Sequence, residues 1–167
     1  LLEKSLQIKP NQPMICFNLG NSYLNQKNLP KALEFYTTTI TKAPEYLEAY
    51  IKKGELLTNL KNHNEAIDCL KNALKIDPKN LRILNSIGVN LLEIGHAKVA
   101  LEYFNQCIKI DKTNAILYNN AGLAAYKMNS FNESIDYFNL CIKNAPATGY
   151  FYSNRGLSFQ ALKNLNL

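Results

Sequence analysis

The side chains best suited to chemistry in this chain are its four cysteines and two histidines. They stand at Cys16, Cys69, Cys107, Cys141, His63 and His96. No two cysteines form a C-x-x-C pair and each histidine stands alone, so the sequence lacks the roughly four converging ligands that a zinc ion needs. The spacing therefore predicts no metal site and no cofactor.

Carboxylates, nucleophiles and phosphate loops lead to the same conclusion. Five glycines recur at one long, fixed spacing, which is unlike the short spacing of a G-x-G-x-x-G or P-loop motif. Cys107 and Cys141 fall at a position that holds small residues, which favours a packing role over a catalytic one. Five acidic residues are expected near helix starts, where a negative charge suits the helix dipole: Glu34, Glu65, Asp68, Glu102 and Asp136. We predict that the chain is not an enzyme and has no catalytic residue.

Composition and charge describe a folded, basic chain. Of its 167 residues, 47% are hydrophobic and 19% are charged, which is the balance of a folding sequence. The net charge of +6 comes almost wholly from lysines, many of them at expected helix ends. A nucleic-acid site needs a continuous positive stripe. The surface expected to bind a partner, which the helical repeats described below would form, instead carries both signs of charge. Its positive residues are Lys52, Arg82 and Lys127, and its negative residues are Glu48, Glu55 and Glu93. Nucleic acid is therefore not predicted as a partner.

The sequence also carries signals about its location. No unbroken apolar run approaches the roughly 20 residues of a transmembrane helix. The first ten residues lack the charged start, the apolar stretch and the cleavage site of a signal peptide. The cysteines, with no pairing pattern, are expected to be free thiols of the kind found inside cells. We predict an intracellular and cytoplasmic protein without a membrane span.

An internal repeat of 34 residues organises the whole sequence. It is marked by Gly20, Gly54, Gly88, Gly122 and Gly156. Twelve residues after the first four glycines stand the small residues Ala32, Ala66, Ala100 and Ser134. Four residues later come the large apolar residues Tyr36, Leu70, Phe104 and Phe138, and three later again Thr39, Ala73, Cys107 and Cys141. When the sequence is aligned on its glycines, several other positions therefore hold the same type of residue in each repeat. We call each such position a column, and agreement among several columns is a strong sign of a repeat architecture.

Each repeat is predicted to hold two α-helices. Apolar residues recur at helical spacing in LRILNSIGVNLLEIG, and the same pattern returns after a short turn in AKVALEYFNQCIKID. Glycine within a helix costs up to about 1 kcal/mol relative to alanine, so five of them require a reason. We expect the glycine and the small residue twelve later to let the two helices approach closely, with the next large residue filling the space beside them. Prolines such as Pro44, Pro78 and Pro146 are expected to close repeats.

These features resemble the tetratricopeptide repeat (TPR) over essentially the whole chain. The family pattern of an apolar residue before the glycine and an aromatic or apolar residue after it is similar to CFNLGNSY, YIKKGELL, LNSIGVNL, YNNAGLAA and YSNRGLSF, with Lys53 and Arg155 replacing the usual apolar residue before the glycine. The resemblance implies an all-α fold, a right-handed solenoid of antiparallel helix hairpins. It implies four full repeats over residues 13–46, 47–80, 81–114 and 115–148, the second helix of a preceding repeat over 1–12, and the first helix of a further repeat over 149–167. We expect one continuous solenoid domain, an excerpt of a longer array.

The resemblance also implies a binding surface, because TPR proteins bind partners on the concave face lined by the first helix of each repeat. The expected partner-binding residues are Asn18, Asn21, Lys52, Glu55, Arg82, Asn85, Asn119, Asn120 and Asn154. An asparagine side chain both donates and accepts hydrogen bonds, so a row of them can pair with the backbone of an extended peptide. Asn18, Asn120 and Asn154 are similar to the asparagine ladder of a glycosyltransferase that carries such repeats, and Lys52 and Ser86 interrupt it.

A second binding mode of the family, the carboxylate clamp for chaperone C-termini, does not fit. Phe17 and Ile51 stand where that clamp requires a lysine. The sequence therefore predicts a non-catalytic protein–protein interaction scaffold that binds a peptide or helix in its concave groove. Two alternatives stay open: the substrate-recognition arm of a larger, glycosyltransferase-like enzyme, and a structural component of a cytoskeletal or ciliary assembly.

Overall fold

A computed structural model describes residues 12–165 of the chain. Within this range the secondary structure is entirely α-helical. The helices are α1 (Pro13–Asn25), α2 (Leu29–Lys42), α3 (Leu47–Asn59), α4 (His63–Ile76), α5 (Leu81–Glu93), α6 (Ala97–Ile110), α7 (Ala115–Lys127), α8 (Phe131–Asn144) and α9 (Gly149–Leu165). The predicted all-α fold class is confirmed. The helix predicted over residues 1–12 lies outside the described residues, apart from the residue that precedes α1.

The chain divides into two compact units, which are described separately. Unit 1 ends at Pro78 and contains α1–α4, and unit 2 begins at Lys79 and contains α5–α9. In unit 1, α1 packs against α2 and α3 against α4, and α2 also packs against α3. In unit 2, α5 packs against α6 and α7 against α8, while α6–α7 and α8–α9 contacts join successive pairs. Each unit is therefore a stack of helix hairpins.

The repeated glycines bring the two helices of each hairpin into close contact. A Cβ atom added to Gly20, Gly54, Gly88 or Gly122 would lie 2.5–2.8 Å from the large side chain sixteen residues later. Those partners are Tyr36, Leu70, Phe104 and Phe138, and each is essentially inaccessible to solvent. The small residues Ala32, Ala66, Ala100 and Ser134 are fully buried as well. The packing expected from the glycine column is confirmed in these four hairpins.

Ser134, the only hydroxyl among those small residues, is satisfied inside unit 2. Its Oγ donates a hydrogen bond of 2.8 Å to the backbone carbonyl of Gly122 and lies 2.9 Å from Oγ of Ser158 in α9. Both serines are fully buried. A buried hydroxyl without such partners would be costly, so this pair allows serine to stand where the other hairpins have alanine.

In the turn inside each hairpin, the residue at one fixed position of the repeat has a left-handed backbone conformation. These residues are Lys27, Lys61, Gly95 and Asn129, with φ of 60°, 62°, 85° and 59°. The residue after each one donates a backbone hydrogen bond to a carbonyl five residues earlier, as His96 does to Leu91 at 2.9 Å. This pattern ends a helix by satisfying its last carbonyl groups. The column was not predicted from the sequence, although Gly95 and Asn129, both favoured in left-handed turns, stand 34 residues apart.

Helix ends follow ordinary capping rules, with one correction to the sequence-based expectation. Asparagine side chains cap three helices: Asn28 accepts from Lys31, Asn80 from Ile83 and Asn114 from Ile116. Lysines occupy the last turn of α2, α4, α6 and α8, as expected. Of the five acidic residues expected near helix starts, only Glu65 lies in a first turn. The others stand a full turn further along, where the favourable effect of the dipole has largely faded.

Candidate functional site

The buried cysteines occupy packing positions. Cys16, Cys107 and Cys141 are fully buried and Cys69 is 9% exposed. Burial raises the pKa of Cys69 and Cys107 to about 11 and that of Cys141 to about 12. A reactive cysteine requires an accessible thiolate at neutral pH, so these three thiols are held in their unreactive form.

Two of the thiols join the helices of their hairpins. Cys141 Sγ donates to the carbonyl of Ala115 at 3.1 Å, and Cys107 Sγ donates to that of Leu81 at 3.8 Å. Thr39 Oγ1 points in the same way to the carbonyl of Pro13, at 3.5 Å. In each case the acceptor is the first residue of the hairpin's first helix. The side chain from the second helix therefore contacts the backbone of the first. The repeat position that holds Thr39, Cys107 and Cys141 thus combines close packing with a hydrogen bond from a side chain to the backbone.

Metal ligands do not cluster in the part of the chain that the structure describes. Across residues 12–165, no three His, Cys, Asp or Glu side chains come close enough together to hold a metal ion. In the same range, every helix is too short or too polar to cross a lipid bilayer.

The predicted partner-binding residues of unit 1 include two local pairs. Lys52 Nζ lies 3.7 Å from Glu55 Oε2, one turn apart on α3, and both side chains are about one-third exposed. Asn21 Oδ1 accepts a hydrogen bond of 2.8 Å from the hydroxyl of Tyr36. Burial, with the negative charges of Glu55 and Glu48, raises the pKa of Tyr36 to about 12, so its hydroxyl remains a donor. Asn18 lies exposed on α1.

The asparagines of unit 2 form pairs between neighbouring first helices. Asn120 Nδ2 on α7 donates to Asn85 Oδ1 on α5, and Asn154 Nδ2 on α9 donates to Asn119 Oδ1 on α7, each at 2.9 Å. We call these two hydrogen bonds the amide pairs. Asn119 is only 6% exposed, whereas the other three are half-buried. Arg82, also predicted to contact a partner, is exposed near the start of α5.

A small apolar cavity lies beside the second amide pair. Its volume is about 140 Å³, and we call it the unit 2 pocket. It is lined by Leu123, Tyr126, Lys127, Phe138, Asn154 and Leu157. Leu123 and Leu157 directly follow the glycines of their helices, and Tyr126 stands one turn after Leu123. The structure therefore places an apolar recess and an amide group side by side on the first helices of unit 2.

Sequence reasoning identified part of this recess. The sequence analysis assigned Asn154 to the partner surface and Lys127 to the inner surface of the repeats, but Leu157 was not identified. The signal was available, because Leu157 lies 34 residues after Leu123. The amide pairs were not foreseen either. Each joins the residue two before a glycine to the residue three before the preceding glycine, which is a sequence separation of 35.

Comparisons with known proteins agree with this geometry. Three family models, each described as the tetratricopeptide repeat, match residues 17–46, 45–113 and 115–148. Among curated proteins, no sequence matches the chain.

Solved structures share the fold at low sequence identity. MamA superposes with a TM-score of 0.86 at 19% identity, over 90% of this chain and 82% of MamA. YrrB, described as a TPR protein with an unusual peptide-binding site, gives 0.83 at 18% identity, over 98% of this chain and 84% of its own. A tetratricopeptide repeat protein from Parabacteroides merdae gives 0.86 at 18% identity, over 97% of this chain and 64% of its own. Family matches, repeat packing and fold agree, and the chain belongs to the tetratricopeptide repeat family.

Proposed function

We propose that this chain is a non-catalytic protein–protein interaction scaffold that holds an extended segment of a partner protein against the first helices of unit 2. The observation that carries the proposal is the unit 2 pocket, an apolar recess directly beside the Asn154 amide. Peptide-binding surfaces combine polar groups that pair with the backbone and pockets that select side chains. The family supports the proposal, since tetratricopeptide arrays present extended binding surfaces.

The amide pairs suit a backbone-binding role. Within the described residues, the side-chain oxygens of Asn120 and Asn154 accept no hydrogen bond, while their nitrogens are fixed by Asn85 and Asn119. An ordered side chain loses less entropy when it binds than a mobile one does. Asn120 and Asn154 would therefore accept hydrogen bonds from backbone N–H groups of the partner, and Asn119, being buried, would act by positioning Asn154.

The unit 2 pocket supplies the side-chain selectivity. Leu123, Tyr126 and Leu157 offer apolar surface, and a volume of about 140 Å³ suits one aliphatic side chain. Lys127 on the same lining is exposed and cationic, so it would favour an acidic residue next to the aliphatic one. YrrB, a structure of the same fold, is described as having a peptide-binding site. We infer that the partner is a protein or peptide and not a nucleic acid.

The remaining predicted positions are kept as partner contacts. In unit 1 these are Asn18, Asn21, Lys52 and Glu55, and in unit 2 they include Arg82. We also infer an intracellular, cytoplasmic setting, because the four cysteines are buried free thiols in this fold. The enzyme-arm and cytoskeletal alternatives have no observation of their own among the described residues.

The test begins with a display selection of random peptides against the purified chain. Selected peptides are then titrated by calorimetry against the parent protein and two matched variants. Leu157→Asn removes an exposed leucine from the unit 2 pocket, and Leu140→Asn removes a similarly exposed leucine of α8 that does not line it. We expect Leu157→Asn to weaken binding about tenfold, because one apolar contact is lost. We expect Leu140→Asn to leave affinity unchanged.

Two outcomes would count against the proposal. Equal weakening by both variants would show that the pocket is not the contact site. Selection of no specific peptide would remove peptide binding on this face, and the alternatives would then move ahead.

A further inference from the structure

Unit 1 contains a second cavity of different character, which we call the unit 1 cleft. Its volume is about 350 Å³ and it lies among α2, α3 and α4. Ile40, Tyr50 and Leu57 give it apolar surface, and Cys69 stands on one wall. This volume is within the usual range of small-molecule sites. The cleft shares no residue with the unit 2 pocket, so a ligand of the cleft is independent of the proposed function.

The cleft lies at a position of the repeat that is aromatic in the other hairpins and is not aromatic in the α3–α4 hairpin. That column contains Phe35, Cys69, Tyr103 and Tyr137. In unit 2, the Tyr137 hydroxyl reaches Asn105 Oδ1 at 2.9 Å, which spans from α8 to α6. In unit 1, Phe35 stacks on Tyr23 with ring centroids 5.4 Å apart. At Cys69 the ring is missing, and the short side chain donates only to the Tyr50 carbonyl at 3.4 Å. The space of an aromatic side chain is left open there.

A lysine replaces a core residue beside this space. The residue directly before the glycine is buried in three hairpins, as Leu19, Ile87 and Ala121. In the α3–α4 hairpin it is Lys53, which is half-exposed and lines the cleft. Its ammonium is close enough to Cys69 to lower the pKa of the thiol, against the larger increase caused by burial. A positive charge thus stands next to the space that the missing ring leaves.

Two carboxylates and one amide, that of Asn72, complete the lining, and the amide oxygen already accepts from Lys75 Nζ at 2.8 Å. Glu65 and Asp68 of α4 are exposed and line the same cleft. Among the described residues, neither carboxylate nor Lys53 has an ion-pair partner within 4.0 Å. The cleft therefore presents one positive group, two negative groups and an empty space of aromatic size, and its charges are not neutralised by the part of the chain described.

We propose that the unit 1 cleft binds a free aromatic α-amino acid. The ring of the ligand would occupy the space beside Cys69, against Ile40 and Leu57. Its carboxylate would pair with the Lys53 ammonium, and its ammonium group would pair with Glu65 and Asp68. One ligand of this class uses the apolar wall and both signs of charge in the cleft. A singly charged ligand would leave one set of charges unpaired.

The direct test is a titration of the purified chain with L-phenylalanine, followed by NMR and by calorimetry. We expect saturable binding with a Kd of roughly 1 mM or tighter, with shifts at Tyr50, Lys53 and Cys69. Three analogues each remove one feature. Phenethylamine lacks the carboxylate, 3-phenylpropanoate lacks the ammonium group, and L-alanine lacks the ring. Each should bind about tenfold more weakly, because each loses a charged contact or the apolar contact.

Variants of the protein connect the binding to the cleft. Cys69→Tyr restores the residue found at the same repeat position in unit 2, and it should abolish binding by filling the space. Lys53→Met keeps the apolar stem and removes the charge, so affinity should fall about tenfold. Asp68→Asn should also weaken binding, whereas Asp136→Asn, at the matching exposed position of unit 2, should not. Far-UV circular dichroism and melting curves report whether each variant is folded.

The outcomes are distinguishable. The proposal is overturned if L-phenylalanine shows no saturable binding, if a singly charged analogue binds equally well, or if folded Cys69→Tyr or Lys53→Met retains full affinity. If Cys69→Tyr does not fold, the comparison of Lys53→Met and Asp68→Asn with Asp136→Asn decides the question.

Discussion

Gly88 faces the ring of Phe104 so closely that a Cβ atom on Gly88 would lie 2.5 Å from ring atom Cε1. Phe104 is fully buried, so the ring has little room to retreat. Contacts this short are repulsive, and three other hairpins show the same relationship, at Gly20, Gly54 and Gly122. Glycine at this position therefore leaves the space that a large side chain from the second helix occupies.

The first prediction concerns the substitution Gly88→Ala. Alanine favours the helix by up to about 1 kcal/mol, but overpacking a filled core costs about 1–3 kcal/mol. We expect a net decrease of about 1–2 kcal/mol in the free energy of unfolding. Urea denaturation followed by far-UV circular dichroism measures it.

Gly156→Ala is the matched control for that prediction. Within residues 12–165, no packed neighbour lies within 4 Å of a Cβ added there, so only the helix propensity changes. We expect the free energy of unfolding to increase by up to about 1 kcal/mol. If the two variants were equally stable, close packing would not explain the glycine column.

The second prediction uses the left-handed turn residues. Lys61 has φ of 62°, a conformation that costs a side-chain-bearing residue about 1–2 kcal/mol and glycine almost nothing. Part of this gain is lost to the greater freedom of glycine in the unfolded chain. We therefore expect Lys61→Gly to raise the free energy of unfolding by about 0.5–1 kcal/mol, measured by urea denaturation.

Gly95→Ala tests the same relationship in the opposite direction. Gly95 has φ of 85° and open space around it, so any loss of stability must come from the backbone conformation and not from a clash. We expect a loss of about 1 kcal/mol. A neutral result for both substitutions would refute the strain argument.

The helix pairs and their core were predictable from the sequence because they rest on local rules that the repeat presents several times. A glycine, a small residue twelve later and a large residue four later recur in four hairpins, and this recurrence distinguishes packing from chance. Repetition also makes an exception informative. Cys69 is a small residue in an otherwise aromatic column, and the sequence alone did not show that a cleft would result.

The amide pairs could not be predicted from such rules. The residue two before the glycine and the residue three before the preceding glycine look unrelated in sequence. They meet only because neighbouring first helices pack side by side within unit 2. The asparagines of the amide pairs were therefore assigned to a partner peptide, whereas each of them already makes one side-chain hydrogen bond between helices.

The third prediction separates the two amide pairs by their burial. Asn154→Ala removes the donor to Asn119, which is only 6% exposed, so a buried carbonyl oxygen loses its partner. Such a loss costs about 1–3 kcal/mol. Asn120→Ala removes the donor to half-buried Asn85, which water can replace. We expect Asn154→Ala to be clearly the less stable variant in urea denaturation. The reverse order would mean that burial does not set the strength of the pairs.

The last prediction concerns alkaline pH. Burial raises the pKa of Cys69 and Cys107 from 9.0 to about 11 and that of Cys141 from 9.0 to about 12. As pH rises above 9, the unfolded chain releases these thiol protons while the folded chain keeps them, so the free energy of unfolding must decrease. We expect a plateau below about pH 8 and a decline toward about pH 10, measured by urea denaturation at each pH. Cys141→Ala removes one of these three thiols and should make the decline shallower. An unchanged slope in this variant would show that the thiol protons are not the linked groups.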